Sequence, residues 1–134
     1  MKEPVQFGCV ITIPSGSATN SPPECAPVVP QDKSLVIDFI TVRAIVPKGQ
    51  LPEVIVQTSN TNLGAPGTIQ NNYYIAFNSG PLNSTSASDL YTATHQVMMR
   101  AMAGDDIGLT VTRNATTGQA IFSVNYGGYL LSSS

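Results

Sequence analysis

Apolar and polar residues alternate along several segments of the chain, with a period of two residues instead of the period of about 3.6 that marks an amphipathic helix. In residues 90–102 one parity is apolar or aromatic apart from a single histidine, and the other parity is largely polar. The two sets are Tyr91, Ala93, His95, Val97, Met99 and Ala101 against Thr92, Thr94, Gln96 and Arg100. A period of two predicts strands that bury one face.

Turn-forming residues divide the chain into eight predicted strands. The strands span Val5 to Ile13, Ala26 to Val29, Ser34 to Val46, Glu53 to Thr58, Asn72 to Asn78, Leu90 to Met102, Ile107 to Arg113 and Gln119 to Leu131. Val, Ile and Thr together supply 35 of the 134 residues, which favours strands over helices. Because no repeat or linker interrupts this pattern, we expect one all-β domain over residues 1–134, an antiparallel β-sandwich.

One predicted strand, Leu35 to Val46, is apolar on both parities. One face carries Val36, Ile40, Val42, Ala44 and Val46, and the other carries Leu35, Ile37, Phe39 and Ile45. A sandwich buries only one face of each sheet, so the second face needs another cover. A loop, the N-terminal segment or a neighbouring subunit could provide it, and we expect a homo-oligomer.

Charged residues make up only 10% of the chain, and the formal net charge is −2. Without a basic cluster to neutralise phosphates, nucleic-acid binding is disfavoured. No apolar run reaches the roughly 18 residues of a membrane-spanning helix, so no membrane span is expected. The polar surface is therefore largely neutral, supplied by Ser, Thr and Asn.

Cys9 and Cys25 are the two cysteines of the chain, and Pro-, Ser- and Gly-rich sequence separates them. Two thiols and a single histidine are too few for a structural zinc site. A Cys9–Cys25 disulfide is the simplest interpretation, and two separately buried thiols are the alternative. With the neutral composition, a disulfide points to a secreted or periplasmic protein, and Met1 then begins a mature chain whose signal peptide has been removed.

The last 32 residues contain Ala103-Gly104-Asp105-Asp106-Ile107-Gly108-Leu109-Thr110-Val111, followed by Ile121-Phe122-Ser123 and Gly128-Tyr129-Leu130-Leu131. This pattern resembles the end of complement-type globular heads, which are related in fold to tumour necrosis factor. Residues 33–40 and 46–50 are also similar to uncharacterised bacterial secreted proteins. The resemblance implies a jelly roll of ten strands that often forms trimers and binds ligands through surface loops. Together with the eight strands predicted above, we expect a jelly-roll sandwich of about eight to ten strands.

Catalytic chemistry has few candidates in this sequence. His95 is the single histidine and lies on the apolar parity of its strand, where a core hydrogen bond explains it more simply than a role as a general base. Asp105 and Asp106 are adjacent, so their side chains point apart, and turn capping is more plausible than paired acid-base catalysis by a hydrolase. Calcium is an alternative cofactor, with Asp105, Asp106 and Asp89 as ligands; otherwise no cofactor is expected.

A binding role has better candidates. If residues 72–78 form a strand, Tyr73 and Tyr74 point to opposite faces, and Tyr74 is exposed beside Asn71 and Asn72. An exposed tyrosine next to asparagine amides suits sugar stacking and hydrogen bonding, although a tyrosine that covers a sheet edge is the alternative. The sequence therefore predicts a secreted, non-enzymatic binding or assembly module that self-associates as a trimer. A lectin or adhesin that binds a glycan or cell-surface ligand is the second hypothesis.

Overall fold

In the part of the chain that the structure describes, nine strands form two antiparallel sheets around one hydrophobic core. The computed structural model describes residues 2–22, 25, 29–60, 69–77, 80–102 and 105–132, and within them the side chains of all residues except 59, 60, 69–71 and 106. The strands are β1 (Lys2–Ile13), β2 (Thr19–Asn20), β3 (Lys33–Pro47), β4 (Pro52–Asn60), β5 (Ile69–Ile75), β6 (Asn83–Ser84), β7 (Ser88–Ala101), β8 (Asp106–Arg113) and β9 (Ala120–Ser132). Over the described residues, no helix is long and apolar enough to cross a membrane.

The strand order identifies the fold. One sheet has the order β1-β9-β3-β7-β6, and the other has the order β2-β8-β4-β5. When the two-residue β6 is left out, strands at the same position in the two sheets are neighbours in the chain. These pairs are β1 and β2, β9 and β8, β3 and β4, and β7 and β5. This is the arrangement of a jelly roll, in which the chain wraps into a double antiparallel sheet. The predicted all-β jelly-roll sandwich is confirmed.

Six of the predicted strands correspond to strands of the structure with their ends moved by a few residues. The strand predicted at Asn72 to Asn78 lies earlier, at Ile69–Ile75. Most of the predicted strand Ala26 to Val29 lies outside the described residues, and Val29 belongs to no strand. The two-residue strands β2 and β6 were not predicted, because two residues are too short to show an alternation.

A β-bulge in β3 corrects the prediction for Leu35 to Val46. Ile37 lies opposite Gly128 of β9 and Phe39 lies opposite the preceding residue, Gly127, so Asp38 is an extra residue in β3. An extra residue reverses the side-chain parity. Leu35 and Ile37 therefore face the core together with the residues after the bulge, whereas Val36 turns to the second face, so the predicted faces of these three residues were wrong. Phe39 and Ile45 remain on that face, each 37% exposed.

The core contains side chains from both sheets, in the alternation expected for half-buried strands. Its largest fully buried members are Tyr126, Phe122, Ile11, Ile13, Leu35, Ile37, Ile40, Met99, Leu109, Val46, Val54 and Val56. The Tyr126 hydroxyl donates a hydrogen bond to the Cys25 carbonyl at 3.4 Å. Burial raises the pKa of Tyr126 to about 12.

The disulfide predicted between Cys9 and Cys25 is present. It joins β1 to the segment between β2 and β3, with 5.7 Å between the two Cα atoms. Cys25 is buried in the core and Cys9 is half-buried at its edge. The bond therefore fixes an edge strand of the five-stranded sheet to the chain that crosses from one sheet to the other.

Candidate functional site

Tyr74 and Asn72 lie on the outer face of β5, which is one of the two edge strands of the four-stranded sheet. Tyr74 is 66% exposed and Asn72 is also exposed, whereas the next residue after Tyr74, Ile75, is buried. This alternation is the one that parity predicted. The side chain of Asn71 lies outside the described residues. Contact of these residues with a glycan stays a prediction.

A groove of about 390 Å³ opens beside Tyr74, and we call it the Tyr74 groove. One side is formed by Leu51, Pro52 and Glu53 at the start of β4. Tyr74, Ile75, Ala76, Phe77 and Gly80, from β5 and the segment after it, form the other side, and Tyr91 of β7 completes it. Asn72 is not part of the lining. The volume lies within the range of small-molecule sites, which are mostly apolar with a few convergent polar groups.

The inner part of the groove is held by two contacts to β7. The rings of Phe77 and Tyr91 meet edge to face, with 6.1 Å between centroids and an interplanar angle of 76°. His95 Nε2 lies 2.6 Å from the Ala76 carbonyl oxygen, so the imidazole donates a hydrogen bond that fixes the chain just after β5. The hydrogen bond expected for His95 is present, but the side chain is half-buried at the edge of the sandwich and does not belong to the core. Its position behind the groove was not predicted from the sequence.

The described carboxylates proposed as calcium ligands lie at opposite ends of β7. Asp89 is the second residue of that strand, whereas Asp105 lies four residues beyond its last residue, Ala101. Strand geometry separates such positions by roughly 40 Å, so they do not share a site. Over the described residues, no group of three or more His, Cys, Asp or Glu side chains is placed to hold a metal ion. The Asp106 side chain lies outside the described residues, and calcium binding stays a prediction.

Both carboxylates have local structural partners. Asp89 is buried and accepts hydrogen bonds from Gly49 N at 2.9 Å and from Ser84 Oγ at 2.7 Å. These bonds, with a smaller contribution from Lys48 at 4.0 Å, lower the pKa of Asp89 although burial opposes the shift. Asp105 accepts a hydrogen bond from Met102 N at 2.8 Å, which is the turn capping expected from the sequence. The Asp89 carboxylate thereby connects the turn after β3 to the last residue of β6.

Arg113 was not recognised from the sequence as a special residue. It follows Ile107, Leu109 and Val111 on the inward parity of β8, and it is only 4% exposed. Its guanidinium donates to the carbonyl oxygens of Pro14, Ser17, Thr116 and Thr117 and to Gln50 Oε1. No carboxylate is among these acceptors. The arginine therefore joins three connections at one end of the sandwich, those after β1, β3 and β8.

The outer face of the five-stranded sheet is a second candidate surface. Its central rows are Thr12, Ile121, Ile45 and Leu90; Val10, Ser123, Arg43 and Thr92; Gly8, Asn125, Thr41 and Thr94; and Gln6, Gly127, Phe39 and Gln96. Arg43 is the one charged residue among these sixteen. The first row is apolar across three adjacent strands. In the last row, the ring of Phe39 lies over Gly127. A Cβ atom at position 127 would collide with that ring.

Comparisons with known proteins find a likeness among solved structures. No known protein family and no curated protein matches the sequence. Among solved structures, the chain is similar to the Eiger TNF of S. frugiperda, with 8% identity and a TM-score of 0.37 over 96% of this chain and 94% of that chain. The jelly-roll assignment rests on the strand order of this chain, given above.

Proposed function

We propose that the chain is a non-enzymatic binding and assembly module that self-associates through the outer face of its five-stranded sheet. The observation that carries this proposal is the exposed apolar set on that face. Ile45, Ile121 and Phe39 are each 37–38% exposed, and Val10 is 67% exposed. Scattered single apolar residues are ordinary on a surface, but the side-by-side row of Ile121, Ile45 and Leu90 is contiguous.

The charge of the face also supports assembly. Charged residues are depleted at the centres of protein interfaces, and here one of sixteen residues is charged, although low charge is general in this chain. The bulge at Asp38 leaves fewer apolar residues on this face than the sequence predicted, because Leu35 and Ile37 turn inward. Four strands and four rows cover roughly 500 Å², less than the roughly 800 Å² per partner of a standard interface. The contact must therefore extend beyond these rows.

We propose a trimer, the state that the resemblance of the C-terminal residues to complement-type heads implies. Light scattering at micromolar concentration should give three times the mass of the chain. Ile45→Asp should lower this mass, and Leu51→Asp, which alters a still more exposed apolar residue away from the face, should not. A wild-type monomer would refute self-association, and an equal response of the two variants would refute the assignment to this face.

We infer that the protein works in an oxidising compartment outside the cytoplasm, because the Cys9–Cys25 bond is of the kind that forms there. Alkylation of protein taken from its native cells tests the inference. Both cysteines should resist a thiol reagent until a reductant is added. Modification of both without reductant would overturn it.

A further inference from the structure

The Tyr74 groove combines aromatic and apolar walls with one charged side chain. Glu53 is exposed and is the single charged residue in the lining. Tyr74, Phe77 and Tyr91 contribute aromatic surface, and Leu51 and Pro52 contribute aliphatic surface. An organic cation on a small apolar body matches this combination, because a carboxylate and aromatic faces both attract positive charge.

The strand register brings Glu53 and Tyr74 together on the outer face of the sheet. Val54 pairs with Ile75, and Ile55 pairs with Tyr74. Glu53 is two residues before Ile55 and therefore points to the same side as Tyr74. The two residues are diagonal neighbours across the strand pair. Diagonal neighbours of this kind have Cβ atoms about 7 Å apart, so one ligand cation can contact both the carboxylate and the ring face.

No lysine or arginine of the chain pairs with Glu53. All six Lys and Arg residues are described, and each is placed elsewhere. Lys33 pairs with Glu3, Lys48 lies beside Asp89, Lys2 lies over Tyr129, Arg113 is buried among carbonyls, and Arg43 and Arg100 lie on the five-stranded sheet. Within the described residues, the Glu53 carboxylate thus forms no ion pair, and it meets apolar surface on the groove side.

We propose that the Tyr74 groove binds an organic ammonium group, with Glu53 as its counter-ion and Tyr74 as its aromatic face. A neutral sugar fits this lining less well. Sugar recognition needs several convergent hydrogen-bonding groups, and the polar side-chain groups here are one carboxylate and the hydroxyls of Tyr74 and Tyr91. A volume of about 390 Å³ accommodates one headgroup or one basic side chain. This site is independent of the proposed assembly face.

Choline and 3,3-dimethylbutan-1-ol provide the test, because they have the same shape and differ in charge. Titrations followed by NMR chemical shifts of the full chain should show choline binding at least about fivefold more tightly than the alcohol. The difference should shrink as salt is added, since an exposed carboxylate is screened. Shifts should be confined to residues of the groove.

Variants test whether Glu53 and Tyr74 cause the preference for choline. Glu53→Gln should remove the preference for choline, and Tyr74→Leu should weaken choline severalfold while Tyr74→Phe retains it. Asp38→Asn, which removes an exposed carboxylate on the other sheet, should change nothing. Equal binding of choline and the alcohol, stronger binding of methyl glucoside than of choline, or binding of none of these probes would each overturn the proposal. An unchanged NMR spectrum outside the groove shows that each variant is folded.

Discussion

Replacing Arg113 by methionine should destabilise the fold by an amount that can be worked out from its acceptors. The carbonyls of Pro14, Thr116 and Thr117 each keep another donor: Ser17 N, Gly16 N and Gln50 Nε2, respectively. The Ser17 carbonyl and Gln50 Oε1 lose the donor that Arg113 supplies. The variant therefore leaves two acceptors unsatisfied at the end of the sandwich.

Each buried acceptor without a partner costs about 1–3 kcal/mol, so Arg113→Met should lose about 2–6 kcal/mol of unfolding free energy. That is a large share of the roughly 5–15 kcal/mol that stabilises an ordinary domain. Urea unfolding followed by circular dichroism measures the loss directly. With a slope of about 2 kcal/mol per molar urea, a loss of 4 kcal/mol lowers the midpoint by about 2 M.

Two further variants test whether the guanidinium of Arg113 is responsible for this loss of stability. Arg100→Met removes an exposed arginine of β7 that lies outside the sixteen residues of the assembly face, and it should change stability by less than about 0.5 kcal/mol. Arg113→Lys should be nearly as damaging as Arg113→Met, because an ammonium cannot reproduce the planar fork of donors that reaches three connections. A loss below about 1 kcal/mol for Arg113→Met, or full retention by Arg113→Lys, would show that the guanidinium contacts do not hold this end together.

Three other outcomes follow from local geometry. Replacing both Cys9 and Cys25 by alanine should cost about 3 kcal/mol in urea unfolding, and a midpoint that stays unchanged would contradict a stabilising disulfide. Because the pKa of Asp89 is lowered, the free energy of unfolding of the wild type falls as pH drops below about 4. Asp89→Asn should have a lower free energy of unfolding at pH 6 and should lose less of it between pH 5 and pH 2. Gly128→Ala should lower the thermal midpoint more than Gly127→Ala, because a Cβ at 128 meets the backbone of β3 and a Cβ at 127 meets a side chain; the reverse order would contradict this packing.

The alternation of apolar residues was sufficient to predict the sandwich and most of its long strands. It failed at Asp38, because a bulge adds one residue and reverses every parity before it. The sequence signal was present, since Leu35 and Ile37 share apolar character with Ile40 and Val42 although a regular strand cannot turn all four to one side. A charged residue in the middle of the apolar run marked the position.

The site was predictable only where strand parity alone decides exposure, as for Tyr74. Glu53 belongs to another strand, and its place beside Tyr74 depends on the pairing register, which the sequence does not contain. Arg113 depends on loops brought together from residues 14–17, 50 and 116–117. Its position on the same parity as Ile107, Leu109 and Val111 could have identified it as an inward-facing charge.

The central place of β9 governs the order in which the chain can fold. β9 lies between β1 and β3 and is the single sheet partner of β1 in the strand order. Of these strands, β1 is synthesised first and its partner β9 is synthesised last. The backbone groups of β1 therefore stay unpaired until β9 is available. Pairing at such long sequence separation is intrinsically slow. The Cys9–Cys25 bond spans only 16 residues, so it can form before β9 is synthesised. The bond then holds the unpaired β1 close to the segment that precedes β3.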